Sequence, residues 1–264
     1  IFIFIKPNPE NSPLIKKVDA YDELGNKFST YSVVEKPLSI YLNSTHIVTA
    51  MTVGDYPKYL AIGYLVNQNI IKDLTKIEKV EIVEDINTVV VRSSEKTSVD
   101  TANERKIKTS GCANGTIFDN IIDEINEIRL NDTFKVKSDD IFSLYKSINL
   151  TPSLYLKSGA IHGCVLCFQD KSIAFFEDVG RHNAIDKLAG YMFLNKISAN
   201  DKILYTTGRL TSEMVIKTVI MKIPILISRS GFTAWGVELA KKSNLTMIGR
   251  MRGRKYTILS GKKR

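Results

Sequence analysis

Thiols, imidazoles and loop arginines are the side chains of this sequence that carry chemical potential. Cys112 stands in Thr109-Ser110-Gly111-Cys112-Ala113-Asn114-Gly115, where small residues and two glycines indicate a loop. A loop gives a thiol access and mobility. The thiolate is the reactive form, and nearby cations favour it; Arg105, Lys106 and Lys108 precede the loop. Local chemistry alone leaves two readings, a reactive thiol or an incidental cysteine. Cys164 and Cys167 have a C-x-x-C spacing, which invites a metal or redox reading. Their surroundings, Ile161 to Phe168, read instead as an apolar strand, in which positions three apart face opposite sides. A zinc site would also want a turn between the two ligands and a second pair. No bound metal is expected.

His182 lies in the polar cluster Glu177-Asp178-Val179-Gly180-Arg181-His182-Asn183, which opens a helix. Backbone N–H groups at such an end favour anions. Asp178 is placed to cap that helix or to orient His182. His162, on an apolar strand, reads as a core histidine. Three further loops follow strands: Thr207 to Glu213, Ser228 to Thr233 and Ile248 to Arg254. An open α/β sheet binds ligands beyond the carboxyl ends of its strands, and arginine clusters suit bidentate phosphate recognition. None of the loops is a Walker or G-x-G-x-x-G motif. Together, Gly208, Arg209, Arg229, Ser230 and the series Arg250, Arg252, Arg254 point to a phosphorylated ligand. Alternation along a strand would put the last three on one side.

The elements that must hold these residues fall into two patterns. Up to about Ser110, strands at Phe28 to Val34, Leu38 to Leu42, His46 to Thr52, Val80 to Val83 and Thr88 to Val91 surround one helix. That helix runs from Tyr56 to about Val66, with Asp55 as its cap and Pro57 in its first turn. Amphipathic helices are expected from Ile117 to Leu130 and from Ser138 to Ile148. From Ala160 onward, strands at Ala160 to Phe168, Ile173 to Phe176, Ile203 to Thr206, Pro224 to Ser228, Thr246 to Met251 and Tyr256 to Leu259 alternate with three helices. The reading is an α/β chain with a smaller α+β domain over 1–110, a reactive-cysteine loop with connecting helices over 111–150, and a domain with a mostly parallel sheet over 151–264.

Composition narrows the function classes. The chain has 264 residues, 44% hydrophobic and 25% charged, ordinary for a globular protein. The apolar run Ile1 to Ile5 is too short for a membrane span and lacks a signal peptide's layout, and no later stretch is long enough. The expectation is a cytoplasmic protein away from membranes. Three cysteines do not form a disulfide framework. A net charge of +9 favours anionic partners. No nucleic-acid motif or basic–aromatic stripe accompanies it.

The motifs taken in order resemble the FdhD family, the accessory proteins of formate dehydrogenase. The resemblance runs from about Val34 to Gly261 and is carried by Glu177-Asp178-Val179-Gly180-Arg181-His182-Asn183-Ala184-Ile185-Asp186-Lys187, by Thr207-Gly208-Arg209-Leu210-Thr211-Ser212-Glu213-Met214 and by Ser228-Arg229-Ser230. Glu35-Lys36-Pro37-Leu38 and Gly63-Tyr64-Leu65 support it. The resemblance implies a cytidine deaminase-like C-terminal domain. It implies a sulfurtransferase that accepts persulfide sulfur from a cysteine desulfurase on Cys112. The sulfur then passes to the bis-molybdopterin guanine dinucleotide cofactor for formate dehydrogenase. It places cofactor binding on Ile248, Gly249, Arg250, Met251, Arg252 and Gly253, beside Gly208, Arg209, Arg229, Ser230 and His182, and it implies a homodimer. Gly115 stands where some members have a second loop cysteine. The deaminase zinc signature is absent, since Gly163-Cys164 follows His162 where an acid/base glutamate would be needed. The competing reading is a non-catalytic carrier of the cofactor, which would not need the Cys112 thiol.

Overall fold

The computed structural model describes residues 5–94, 125 and 127–261. Cys112, its loop and most of the helix expected from Ile117 to Leu130 lie outside the described residues. Strands β1 (Ile15–Tyr21) and β2 (Lys27–Val33) pair as an antiparallel hairpin. The Asp22 carboxylate closes its turn by accepting from the backbone N–H groups of Leu24 and Asn26. Strand β1 had no hydrophobic alternation to reveal it, because most of its side chains are exposed.

Strands β3 (Lys36–Leu42), β4 (Thr45–Thr52), β5 (Ile77–Val83) and β6 (Thr88–Ser93) form a four-stranded sheet in the order β4-β3-β6-β5. The central pair β3/β6 is parallel and the outer pairs are antiparallel. Leu38, Ile40 and Leu42 alternate inward and meet Leu60 and Leu65 of helix α1 (Pro57–Asn67). Pro57 opens α1 as expected, but Asp55 does not cap it. Tyr56 occupies the cap position at φ 48°, and Asp55 is drawn instead to Lys187.

The larger sheet has the order β12-β11-β10-β9-β7-β8. Its strands are β7 (His162–Phe168), β8 (Lys171–Asp178), β9 (Ile203–Thr206), β10 (Ile225–Ser228), β11 (Thr246–Arg252) and β12 (Lys255–Ser260). On one face lie helices α4 (Arg181–Leu194), α5 (Ser212–Ile220) and α6 (Ala234–Lys242); on the other lies α2 (Ser138–Leu150), followed by the short α3 (Leu154–Ser158). Period-two alternation separates the two cores. Leu204 and Leu226 face α4–α6, whereas Ile203, Tyr205, Ile225 and Ile227 face α2. The expectation of a mostly parallel sheet needs correction. Only β9/β10 and β10/β11 are parallel neighbours; β7/β8, β7/β9 and β11/β12 are antiparallel. The turns joining β7 to β8 and β11 to β12 are two residues long, too short for the crossover that parallel strands require. Among the described residues no helix is long and apolar enough to cross a membrane.

Helices α1 and α4 cross backbone against backbone. A Cβ on Gly63 would lie 1.7 Å from the Asp186 carbonyl oxygen, and one on Gly190 would lie 2.0 Å from that of Tyr59. Charged groups are sealed into the same junction. Lys187 Nζ stands 2.5 Å from Asp55 Oδ1 and 2.5 Å from Asp178 Oδ2, and donates to the Glu177 carbonyl at 3.0 Å. Lys217 pairs with Asp186 at 2.7 Å, and Asn67 donates to the same carboxylate at 2.7 Å. Thr52 donates to Asp178, and Asn183 donates to the Met51 carbonyl. The longest polar motif of the sequence therefore locks α1 and β4 to α4, β8 and α5.

Candidate functional site

Strands β9, β10 and β11 end at one edge of the large sheet, and strand-end hydroxyls tie their loops together. Thr206 Oγ1 donates to the Gly163 carbonyl and accepts from the Gly208 N–H, each at 3.1 Å. Ser228 Oγ donates to the Gly208 carbonyl at 2.6 Å and accepts from Ser230 N–H at 2.9 Å. Arg250 N–H donates to the Ser230 carbonyl at 2.9 Å. These bonds fix the loops that present the arginine side chains.

They border an open cleft of about 700 Å³ lined by Thr207, Arg229, Ser230, Arg250, Met251 and Arg252, with Tyr145 and Tyr155 opposite. The Arg229 guanidinium sits 4.3 Å from the centre of the Tyr155 ring, and that of Arg250 sits 5.1 Å from the Phe232 ring. Stacking of this kind orients a guanidinium while its N–H donors remain free for an acceptor. Among the described residues no carboxylate pairs with Arg181, Arg209, Arg229, Arg250 or Arg252. Three of these, Arg229, Arg250 and Arg252, line the cleft, and a cluster of cations in a concave site suits an anion.

The expected series Arg250, Arg252, Arg254 does not act as one row. The pairing of β11 with β12 shifts between Gly249 and Arg252, and Arg250 sits at φ 55°. This bulge re-aims the side chains. Arg250 and Arg252 line the cleft, whereas Arg254 lies in the turn between β11 and β12, paired with Asp139 at 3.2 Å and stacked on Phe142. Of the rest of that stretch, Ile248 points into the α2-side core, Gly249 packs beside Phe232 and Leu259, and Gly253 makes the turn at φ 57°.

His182 is committed elsewhere. Its Nε2 lies 2.8 Å from Glu213 Oε2 in the first turn of α5. Burial pushes its imidazole below the ordinary range, so the ring is neutral near pH 7 and donates Nε2–H to the carboxylate. The Asp178 carboxylate, expected to orient His182, is taken up by Lys187, Thr52 and Asn183. His162, by contrast, leaves the core role expected of it. Strand β7 runs antiparallel to β9, so its first residue sits at the edge where β9 ends. There the half-buried His162 Nδ1 lies 3.5 Å from Thr207 Oγ1. Burial, then the charges of Arg181, Arg229 and Arg209, hold its imidazole below the usual range. The direction of β7 in the sheet was the missing signal.

Cys164 and Cys167 are both fully buried and belong to the cores on opposite faces of the sheet. Burial pushes the Cys164 thiol up to about 12 and the Cys167 thiol higher still. Neither is a nucleophile at neutral pH. Glu177 serves the site indirectly. Its carboxylate accepts from the Leu154 and Tyr155 N–H groups at 2.7 and 3.0 Å, which fixes the start of α3 and with it the ring that stacks on Arg229.

A model of the FdhD/NarQ family matches residues 33–264. The chain is 31% identical over 254 residues to the sulfur carrier protein FdhD of Bacillus pumilus, with 94% of this chain and 96% of that one aligned. It is 30% identical over 256 residues to the protein of the same name from Saccharolobus solfataricus, 95% of each chain being covered. The crystal structure of a protein from Desulfotalea psychrophila, assigned as a formate dehydrogenase accessory protein, superposes with a TM-score of 0.76 at 26% identity. It covers 95% of this chain and 97% of that one.

Proposed function

The chain belongs to the FdhD/NarQ family, and on that premise we propose that it is a sulfur carrier for formate dehydrogenase. In this reading it works by a persulfide on Cys112. The Cys112 thiolate attacks the outer sulfur of a cysteine desulfurase persulfide, the donor's S–S bond breaks, and the donor cysteine leaves as a thiolate. The outer sulfur of the Cys112 persulfide then passes as zero-valent sulfur to bis-molybdopterin guanine dinucleotide, the substrate, whose acceptor atom supplies the electron pair of the new bond while Cys112 leaves as a thiolate. The observation that supports this reading best is the cleft at the ends of β9, β10 and β11, whose arginines pair with no described carboxylate and whose positive charge suits the phosphates of a guanine dinucleotide. We read the large sheet as cytidine deaminase-like from its β8-β7-β9-β10-β11 order. The protein is proposed to act in the cytoplasm as a homodimer.

Intact mass after incubation with a cysteine desulfurase and cysteine tests the reading. One added sulfur that is absent from Cys112→Ala supports it. An unmodified wild-type protein would favour a carrier that delivers the cofactor without moving sulfur, since the same cleft would serve that role. Activation of formate dehydrogenase should fail with Cys112→Ala and persist with Cys164→Ala and Cys167→Ala.

A further inference from the structure

Thr207 lines the cleft on one side and touches a second group of polar side chains on the other. Beyond that residue lie His162, in contact with Thr207 Oγ1, and Arg181, whose side chain crosses Gly208. A Cβ at Gly208 would stand 2.9 Å from Arg181 Cβ and 3.0 Å from its Cδ. Glycine is thus the residue that lets the arginine lie there. Arg181 Nε is buried and has no hydrogen-bond acceptor among the described residues. A buried charged donor without an acceptor is costly, and the carboxylate of this neighbourhood, Glu213, is engaged by His182. Arg209 adds a further cation, and Arg229 is close to His162 as well as lining the cleft. Five arginines at one edge carry more positive charge than a single phosphate balances.

We propose that Arg181 and His162 form a second anion subsite, joined to the Arg229–Arg250–Arg252 cleft through Thr207, which takes the second phosphate of a diphosphate diester. The inference rests on the nucleotide reading of the cleft and specifies its ligand: two bridged phosphates, one on each side of Thr207. Arg181 supplies the positive charge of its guanidinium, and the imidazole supplies a hydrogen bond beside the arginines.

Calorimetry with GDP-mannose and GMP tests this. At about pH 8 both ligands carry about two negative charges, on two phosphates in the first and on one in the second. A difference between them therefore reports geometry and not net charge. Wild type should bind GDP-mannose at least about tenfold more tightly than GMP. Arg181→Lys and His162→Gln should each collapse that preference to within about threefold while leaving GMP binding unchanged, because Lys lacks the planar fork and Gln the ring geometry. Arg254→Lys, outside the cleft, should keep the preference. Melting curves establish that each variant is folded; should Arg181→Lys not fold, His162→Gln carries the test alone. Equal affinities in wild type, or a preference unchanged in the folded variants, would overturn the subsite. If neither ligand binds, the nucleotide reading of the cleft falls and the subsite falls with it.

Discussion

Replacing Lys187 with methionine removes the cation held between Asp55 and Asp178. The Lys187 and Asp178 side chains are 0% exposed and that of Asp55 is 20% exposed. At an effective dielectric constant of about 20, unit charges about 4 Å apart attract by about 4 kcal/mol. Two such attractions total roughly 8 kcal/mol, much of it offset by desolvation at several kcal/mol per ion. The net value of the intact triad is therefore small, but the cost of breaking it is not, because two carboxylates stay behind. Removing one partner of a buried pair costs about 3–5 kcal/mol, and two orphaned carboxylates place Lys187→Met toward the top of that range. Total stability for a domain is about 5–15 kcal/mol, so the variant should be marginal. Burial already holds the Asp55 carboxyl above its ordinary value, and Lys187 opposes that rise. Without the lysine the Asp55 carboxyl should take up a proton more readily, so the penalty should shrink as pH falls from about 7 to about 5. Urea unfolding at the two pH values measures this, and Lys187→Met/Asp178→Asn should recover about 1–2 kcal/mol of the loss. A cost below about 1 kcal/mol at neutral pH, or one independent of pH, would refute the argument that the triad is desolvated and coupled.

Gly63→Ala should destabilise by about 1–3 kcal/mol or more, despite the better helix propensity of alanine, because its Cβ would meet the Asp186 carbonyl; thermal melting reads it, and an unchanged Tm would contradict the close crossing of α1 and α4. Burial raises the Glu177 carboxyl to about 7. Its folded value lies above the unfolded one, so its contribution to stability is full below about pH 4.5 and fades as pH rises through about 7. Glu177→Gln should flatten the stability profile across that window, and a profile still as steep as wild type would count against the assignment. Cys164 and Cys167 should resist maleimide in the folded protein and react once it is unfolded in urea, as mass spectrometry would show; rapid labelling of the folded state would mean that the strand is open. Alanine at either position should cost about 1 kcal/mol of packing.

Much of the architecture could be read directly from the chain. Strands β7 to β12 and the helices between them follow from hydrophobic runs bounded by glycine, proline and polar turns, since periodicity is a local property. The opposite facing of Cys164 and Cys167 needed nothing beyond strand alternation. The hairpin strand β1 escaped notice because a two-stranded ribbon exposed on both faces leaves no pattern of burial in its sequence. The bulge at Arg250 was equally hidden. An alternating Arg-x-Arg-x-Arg row is indistinguishable, as sequence, from one whose register shifts against its neighbour.

The sequence by itself determined the family, the cysteine inventory and the strand-end loops that bear arginine, because each is written in contiguous residues. Only the tertiary structure decided what those residues do. Asp55 and Asp178 read as caps and orienters until Lys187, distant from Asp55 in sequence, proved to be their partner. His182 read as a ligand-facing group until Glu213 engaged it, and His162 read as core until strand direction brought it to Thr207. The reason is physical. Charge pairing and burial are set by through-space distance in a medium of low dielectric constant, and no local pattern records which carboxylate a buried cation will meet.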